Sequence, residues 1–169
     1  MARYTIDPKR STVEVAGSSS LHPIRADASG LSGRFEIKLR SGSVLAEPGL
    51  TGEVSIPVSR LESGNALVDG ETRRRMDAKR HPEIRGEALS SSRVDANHVH
   101  VIGTISLRGV TREVEGDLTL EADGDELVLE GSQSFDIRDW GLKPPRLGLV
   151  KVHPDVEVTI SLRGIRDDG

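Results

Sequence analysis

The chain holds few residues whose type and spacing could do chemistry. His98 and His100 in "NHVHVIG" stand two apart, and alternate residues of a strand share one face, a spacing that can hold a metal ion. No third histidine or carboxylate adjoins them in the run, so two solvent-facing imidazoles are expected and no metal site is predicted. Ser18, Ser19, Ser20 and Ser90, Ser91, Ser92 offer hydroxyls, but neither run has a Gly-x-Ser-x-Gly elbow or a base beside it. His22, His81 and His153 each precede a proline, which marks turns. Arg73, Arg74, Arg75, Lys79 and Arg80 form the one dense cationic run. It reads as a solvated helix face or as a grip for an anion, since arginine suits phosphate through its two-pronged guanidinium. No catalytic constellation emerges.

Composition narrows the classes. At 169 residues the chain is long enough to bury a substantial core. It has no cysteine, which excludes disulfides and thiolate metal sites. A net charge of -4 argues against nucleic acid as a partner. No apolar run could span a bilayer as a helix, so no transmembrane segment is predicted. "MARYTIDPKR" lacks an apolar leader region, which makes a cytoplasmic protein the default expectation, or a periplasmic or secreted one if a leader has been removed. Aromatic residues make up only 2 %: Tyr4, Phe35, Phe135 and Trp140. Aliphatic side chains must fill the interior, or part of it stays unfilled.

Period-two patterning dominates. Val99, Val101, Gly103, Ile105 and Leu107 alternate with His98, His100, Thr104, Ser106 and Arg108. The same rhythm runs through Val114, Gly116, Leu118 and Leu120, through Leu127, Leu129, Gly131, Phe135 and Ile137, and through Val156, Val158, Ile160 and Leu162. Leu31 to Leu39 and Leu50 to Val58 behave alike. These are half-buried antiparallel strands, dry on one face. "RGVT" and "ADGD" are turns, which makes residues 97–137 a meander. Only "GNALVDGETRRRMDAKRHPEI" resists; it predicts a helix capped by Asp69, running to about Ala78 and stopped before Pro82, lying against one end of the sheet.

About eight such strands leave a sandwich or a closed barrel. Gly33, Gly52, Gly86, Gly103, Gly116 and Gly131 fall where the alternation asks for an apolar side chain. They either mark sharp bends or remove volume from the interior of a small barrel. Gln133 points into the same dry face, where its amide needs backbone, water or the polar end of a ligand. In "FDIRDWGLKPP", Trp140 follows the point where the alternation breaks. It is either a plug for one barrel end or a wall of an internal channel.

The segments "SLHPIRADASGLSGRFEIKL", "RRRMDAKRHPEIRGEA", "HVHVIGTISLRGVTREVEGDLTL" and "SFDIRDWGLKPPRLGLVKVHPDVEVTISL" resemble, in order and spacing, those of YceI-like domain proteins. The Gly103 to Val114 segment and Arg-Asp-Trp-Gly carry most of the likeness, which spans nearly the whole chain. The resemblance implies one domain over residues 1–169: an all-β, extended, antiparallel eight-stranded lipocalin-like barrel with one short helix near an opening. It implies a carrier of long apolar molecules, with no cofactor, and it allows a homodimer. This chain has Gly86 where relatives often carry an aromatic, and Trp140 where a Phe is usual.

The expected function is therefore to bind and carry or store an amphipathic lipid, polyisoprenoid or similar, in the barrel lumen, without catalysis. The alternative is a non-catalytic scaffold or stress-response protein with a side-chain-filled barrel. Phe35, Val54, Ile56, Val101, Gly103, Ile105, Leu118, Leu129, Gly131, Gln133, Phe135 and Trp140 are the candidate ligand contacts. Arg73, Arg74 and Arg75 are candidates for a phosphate headgroup. Replacing Gly103 or Gly131 with a bulky residue is expected to block binding without unfolding the protein.

Overall fold

The computed structural model describes residues 1–144 and 146–167, with nothing described for the Leu147 side chain. Pro145, the second of the two prolines behind Trp140, and the last two residues of the expected 1–169 domain lie outside it. The chain opens with strands β1 (Ala2–Ile6), β2 (Thr12–Ser19), β3 (Pro23–Ala28) and β4 (Ser32–Ile37). A small separate hairpin, β5 (Leu39–Arg40) and β6 (Ser43–Val44), follows. β7 (Thr51–Pro57) leads through a 3-10 turn (Val58–Arg60) into helix α1 (Ala66–Arg75). Then come the long strands β8 (Glu83–Asp95), β9 (His98–Leu107), β10 (Val110–Asp123) and β11 (Glu126–Asp136). A second 3-10 turn (Ile137–Trp140) and β12 (Arg146–Leu147) precede β13 (Val150–Arg166).

Antiparallel pairing runs β1-β4-β7-β8-β9-β10-β11-β13, and β13 pairs back onto β1 through Ile6 and Gly164, which closes the ring. β2 continues beside β13 where β1 leaves off, and β3 pairs with β2. The expected eight-stranded antiparallel barrel is what forms, its staves β1/β2 and β3/β4 each broken once. Closure pairs most of the sheet edge that would otherwise expose backbone, though among the described strands β3 pairs only with β2.

Local chemistry sets the connections. Arg108 and Gly109 both take positive φ (51° and 74°), the two-residue turn whose twist suits a right-handed hairpin between β9 and β10. Gly124 does the same for β10 and β11 at φ 60°. Pro154 cannot donate to a ladder, and it sits where the β13–β2 register shifts between Val152 and Val156.

The helix departs from expectation at its start. Asn65, not Asp69, is the cap: its side chain accepts from the Leu67 and Val68 amides at 3.0 and 3.3 Å. Asp69 lies four residues further on and instead accepts from the Ser63 amide and hydroxyl. The helix ends at Arg75, and Asp77 turns to φ 50° shortly after.

The interior is divided. Leu31, Ile37, Leu50, Val99 and Leu127 are fully buried in a solid core at one end, where Tyr4 stacks on Phe35 with ring centroids 5.1 Å apart. Outside that end, Arg10 bridges Asp7 and Glu126, and Arg163 also meets Glu126. These guanidinium groups hold the Glu126 carboxyl below the usual carboxylate range. The other end is hollow.

Candidate functional site

A cavity of about 460 Å³ occupies the hollow half. Its floor is the top of the solid core: Ile6, Val13, Phe35, Leu50, Leu129 and Leu162, all buried. From there it reaches outward to His153 and Lys143, both exposed, so it opens at that end. The wall is overwhelmingly aliphatic because each stave turns its dry face inward.

All twelve residues expected inside do line this cavity. Phe35 comes from β4; Val54 and Ile56 from β7; Val101, Gly103 and Ile105 from β9. Leu118 comes from β10; Leu129, Gly131, Gln133 and Phe135 from β11; Trp140 from the 3-10 turn after it. Of the three arginines, Arg75 lines the cavity while Arg73 and Arg74 do not. Arg74 instead pairs with Glu71 at 2.8 Å, and Arg75 Nη1 donates to the Lys143 carbonyl at 3.5 Å.

Several lining residues were missed. Val13, Val15 and Gly17 on β2 alternate clearly in "TVEVAG" and were legible. Val68 and Thr72 on α1 and Met76 just after it were not, because their exposure depends on where the helix lies. α1 has no buried residue, although Val68, Thr72 and Arg75 face the cavity; Met76, the residue that caps its C-terminus, is buried there. A helix covering a hollow needs little apolar patterning, which accounts for its weak amphipathicity.

The six dry-face glycines separate into two kinds. Gly52, Gly86, Gly103, Gly116 and Gly131 line the cavity, and Gly33 does not. At Gly33 and Gly103 an added Cβ would run into the carbonyls of Glu53 and Glu87 on the neighbouring strands. At Gly131 it would stand 2.7 Å from the Asp117 carbonyl. Gly116 and Gly17 are different: a Cβ there meets nothing nearer than 3.4 and 3.7 Å. The expectation that Gly103 or Gly131 could be enlarged in a folded protein is therefore overturned, since both mark close backbone approaches rather than spare room. Gly103→Val should cost at least about 2 kcal/mol by forcing β8 and β9 apart, read from urea unfolding; a neutral result would mean the strands can separate freely.

Trp140 is 3 % exposed, and its Nε1 donates to the Ile105 carbonyl at 2.9 Å. Its ring meets Phe135 edge-on, centroids 5.8 Å apart. The turn that carries it is held across the end of β10: Arg112 donates to the Asp139 carbonyl at 2.7 Å and Arg108 to that of Gly141 at 3.1 Å. Trp140 thus ties β11 to β9 past β10, and it is closure and wall at once.

Beside it the wall is incomplete. The β10–β11 ladder runs only from Asp123–Glu126 to Thr119–Glu130. Beyond that, Val110–Leu118 pair with β9 alone and Gly131–Asp136 with β13 alone. A polar recess between Arg112–Glu115 and Gln133–Asp136 shares Val114, Glu115, Gln133, Phe135 and Trp140 with the main cavity. Gln133 is exposed rather than buried as expected, because the strands part there.

The histidines lie elsewhere. His100 Nδ1 meets Asp117 at 2.6 Å and Nε2 meets Glu115 at 3.1 Å, while His98 pairs with Asp95. The two carboxylates beside His100 come from β10, out of sight in its own strand. They raise its pKa above the ordinary value of about 6.5. The contact therefore adds stability that is complete below about pH 6.5 and fades as pH rises through the folded-state value. NMR titration of His100 should show a raised midpoint that falls back in Asp117→Asn; an unchanged midpoint would dismiss the contact. No group of three or more histidines and carboxylates able to hold a metal occurs among the described residues.

The family model for the YceI-like domain matches residues 4–163. The chain belongs to the YceI-like domain family. Its fold is similar to that of Burkholderia cenocepacia BcnA, with a TM-score of 0.78 at 15 % identity over 94 % of this chain and 98 % of that one. It is also similar to a polyisoprenoid binding domain from Saccharophagus degradans implicated in plant cell wall breakdown, TM-score 0.76 at 14 % identity, over 97 % and 98 %. A Campylobacter jejuni YceI protein matches at a TM-score of 0.68 and 14 % identity, over 86 % of each chain. No curated protein sequence matches. At these identities the likeness to the solved structures shows a shared YceI-like barrel. Among the described residues no helix is long and apolar enough to cross a membrane.

Proposed function

We propose that the protein binds an amphipathic lipid with a long apolar tail, a polyisoprenoid or similar chain, and carries or stores it in the barrel. The observation that carries this reading is the dead-ended aliphatic cavity, open at one end and within the roughly 300–1,000 Å³ range of ligand sites. The Saccharophagus degradans neighbour, described as a polyisoprenoid binding domain, supports the same class of ligand. The twelve inward residues named above are the proposed tail contacts, and no reaction is part of this reading.

Tail burial supplies the affinity. Each methylene removed from water contributes about 0.8 kcal/mol, so ten carbons contribute roughly 8 kcal/mol gross. Association costs on the order of 4–15 kcal/mol, so a short tail alone does not suffice. A longer tail or a held headgroup is needed, and Arg75 with Lys143 at the opening suits an anionic one.

Organic extraction of freshly purified protein, followed by mass spectrometry, should release a long-chain lipid. Quenching of the lone Trp140 should then report titration with a prenyl alcohol and a prenyl phosphate. Arg75→Ala should weaken the phosphate by about tenfold, the worth of one charge-assisted hydrogen bond, and leave the alcohol unchanged. An empty extract together with no binding of either lipid would overturn the carrier reading.

A further inference from the structure

The cavity opening combines exposed leucines with an acid-free stretch of sequence on either side. Two hairpin tips flank it, the β2–β3 turn and the β12–β13 turn, and both hairpins line the cavity through Gly17, Ile24, Val152 and His153. The tips are fastened together: the Ser20 amide donates to the Lys151 carbonyl at 2.9 Å, and the Lys151 amide donates to Ser20 Oγ at 3.0 Å. Each tip presents one leucine to solvent, Leu21 at 72 % exposure and Leu149 fully exposed. Large apolar side chains at the tips of turns gain nothing for the fold.

Around these leucines the sequence is free of acid. Residues 18–26 and 142–154 contain no Asp or Glu, in a chain with 27 carboxylates and a net charge of -4. Lys143, Arg146 and Lys151 have no carboxylate partner among the described residues. The Arg73–Arg75 run of α1 adjoins them, joined through the Arg75 to Lys143 contact. Arg74 and Arg75 share the Glu71 carboxylate at 2.8 and 3.4 Å, so among the described residues it is Arg73 that extends the unpaired cationic rim beside Lys143, Arg146 and Lys151.

We infer that this rim docks on an anionic lipid bilayer, with Leu21 and Leu149 entering the interface and the cations meeting lipid phosphates. Charge complementarity favours that occupant: a second copy of the chain would set one cationic rim against another. Exposed apolar residues ringed by Lys and Arg are what peripheral attachment to anionic membranes requires. The inference deepens the carrier reading, because a cavity that opens onto the bilayer can exchange its lipid without the tail crossing water.

The test is cosedimentation of the full chain with vesicles of equimolar phosphatidylcholine and phosphatidylglycerol, and with vesicles of phosphatidylcholine alone, at low and high salt. Binding is expected to the anionic vesicles only, and to be lost at high salt. Arg146→Glu with Lys151→Glu, and separately Leu21→Ser with Leu149→Ser, should each weaken it at least about tenfold. Neither pair lines the cavity, so prenyl lipid binding in detergent should be unchanged. Absence of wild-type binding, equal binding to uncharged vesicles, or unaffected variants would overturn the inference. So would a wild-type dimer that the leucine variant dissociates, since the face would then belong to a second copy. Vesicle binding by a protein whose extract is empty and which binds neither prenyl lipid would keep the docking surface and remove the carrier reading, so the two failures are distinct.

Discussion

Gly116→Leu combined with Gly17→Leu should abolish binding of a long-tailed lipid while leaving the barrel at least as stable as before. Both positions face the cavity, and a Cβ at either makes only ordinary contacts, with Gln133 at 3.4 Å and Val156 at 3.7 Å. Each leucine then projects into empty space rather than into a neighbouring strand. Together the two side chains displace roughly eight carbons of ligand, forfeiting about 6 kcal/mol of gross burial. Half of that, about 3 kcal/mol, already weakens binding more than a hundredfold. Replacing strand glycines with leucine also restricts the unfolded chain, so the melting temperature should hold or rise. Displacement of a fluorescent prenyl lipid measures the first effect and circular dichroism the second. Undiminished uptake by the folded double variant would mean that the tail lies elsewhere.

The second large effect belongs to Trp140. Trp140→Ala should lower the unfolding free energy by about 3–5 kcal/mol, as expected for deleting a buried indole. The loss is large because one buried side chain joins β11 to β9: its ring rests on Phe135 and its Nε1 bonds the Ile105 carbonyl. Trp140→Phe should cost about 1 kcal/mol, mainly the hydrogen bond. Urea unfolding followed in the far ultraviolet separates the two variants. A loss under about 1 kcal/mol for Trp140→Ala would reduce the residue to a strip of cavity wall with no part in closure.

The strands were legible because one wet and one dry face leave a period-two trace that no other element imitates. The meander from His98 to Asp136 and the inward set from Phe35 to Phe135 follow from that alternation. The helix cap was misassigned because Asn65 and Asp69 are both good capping types four residues apart. Choosing between them depends on where the preceding chain is held, here through Ser63 on Asp69.

Alternation also could not tell a glycine that makes room from one that lets backbones meet. Gly103 and Gly116 look alike in sequence, yet one abuts the Glu87 carbonyl and the other would make only ordinary contacts with the Gln133 side chain. That difference is set by strand separation, a property of the neighbouring stave. His100 likewise gained two carboxylates from β10, fifteen and seventeen residues away.

The linear order of residues therefore determined that this chain makes half-buried strands, how they turn, and which side chains look inward, because those depend on each residue and its near neighbours. Only the tertiary structure decided that the tube is solid at one end and hollow at the other, that the β10–β11 seam opens beside Gln133, and that cations from two distant segments meet at the opening. Those are distances between staves and ends, and no local pattern encodes them.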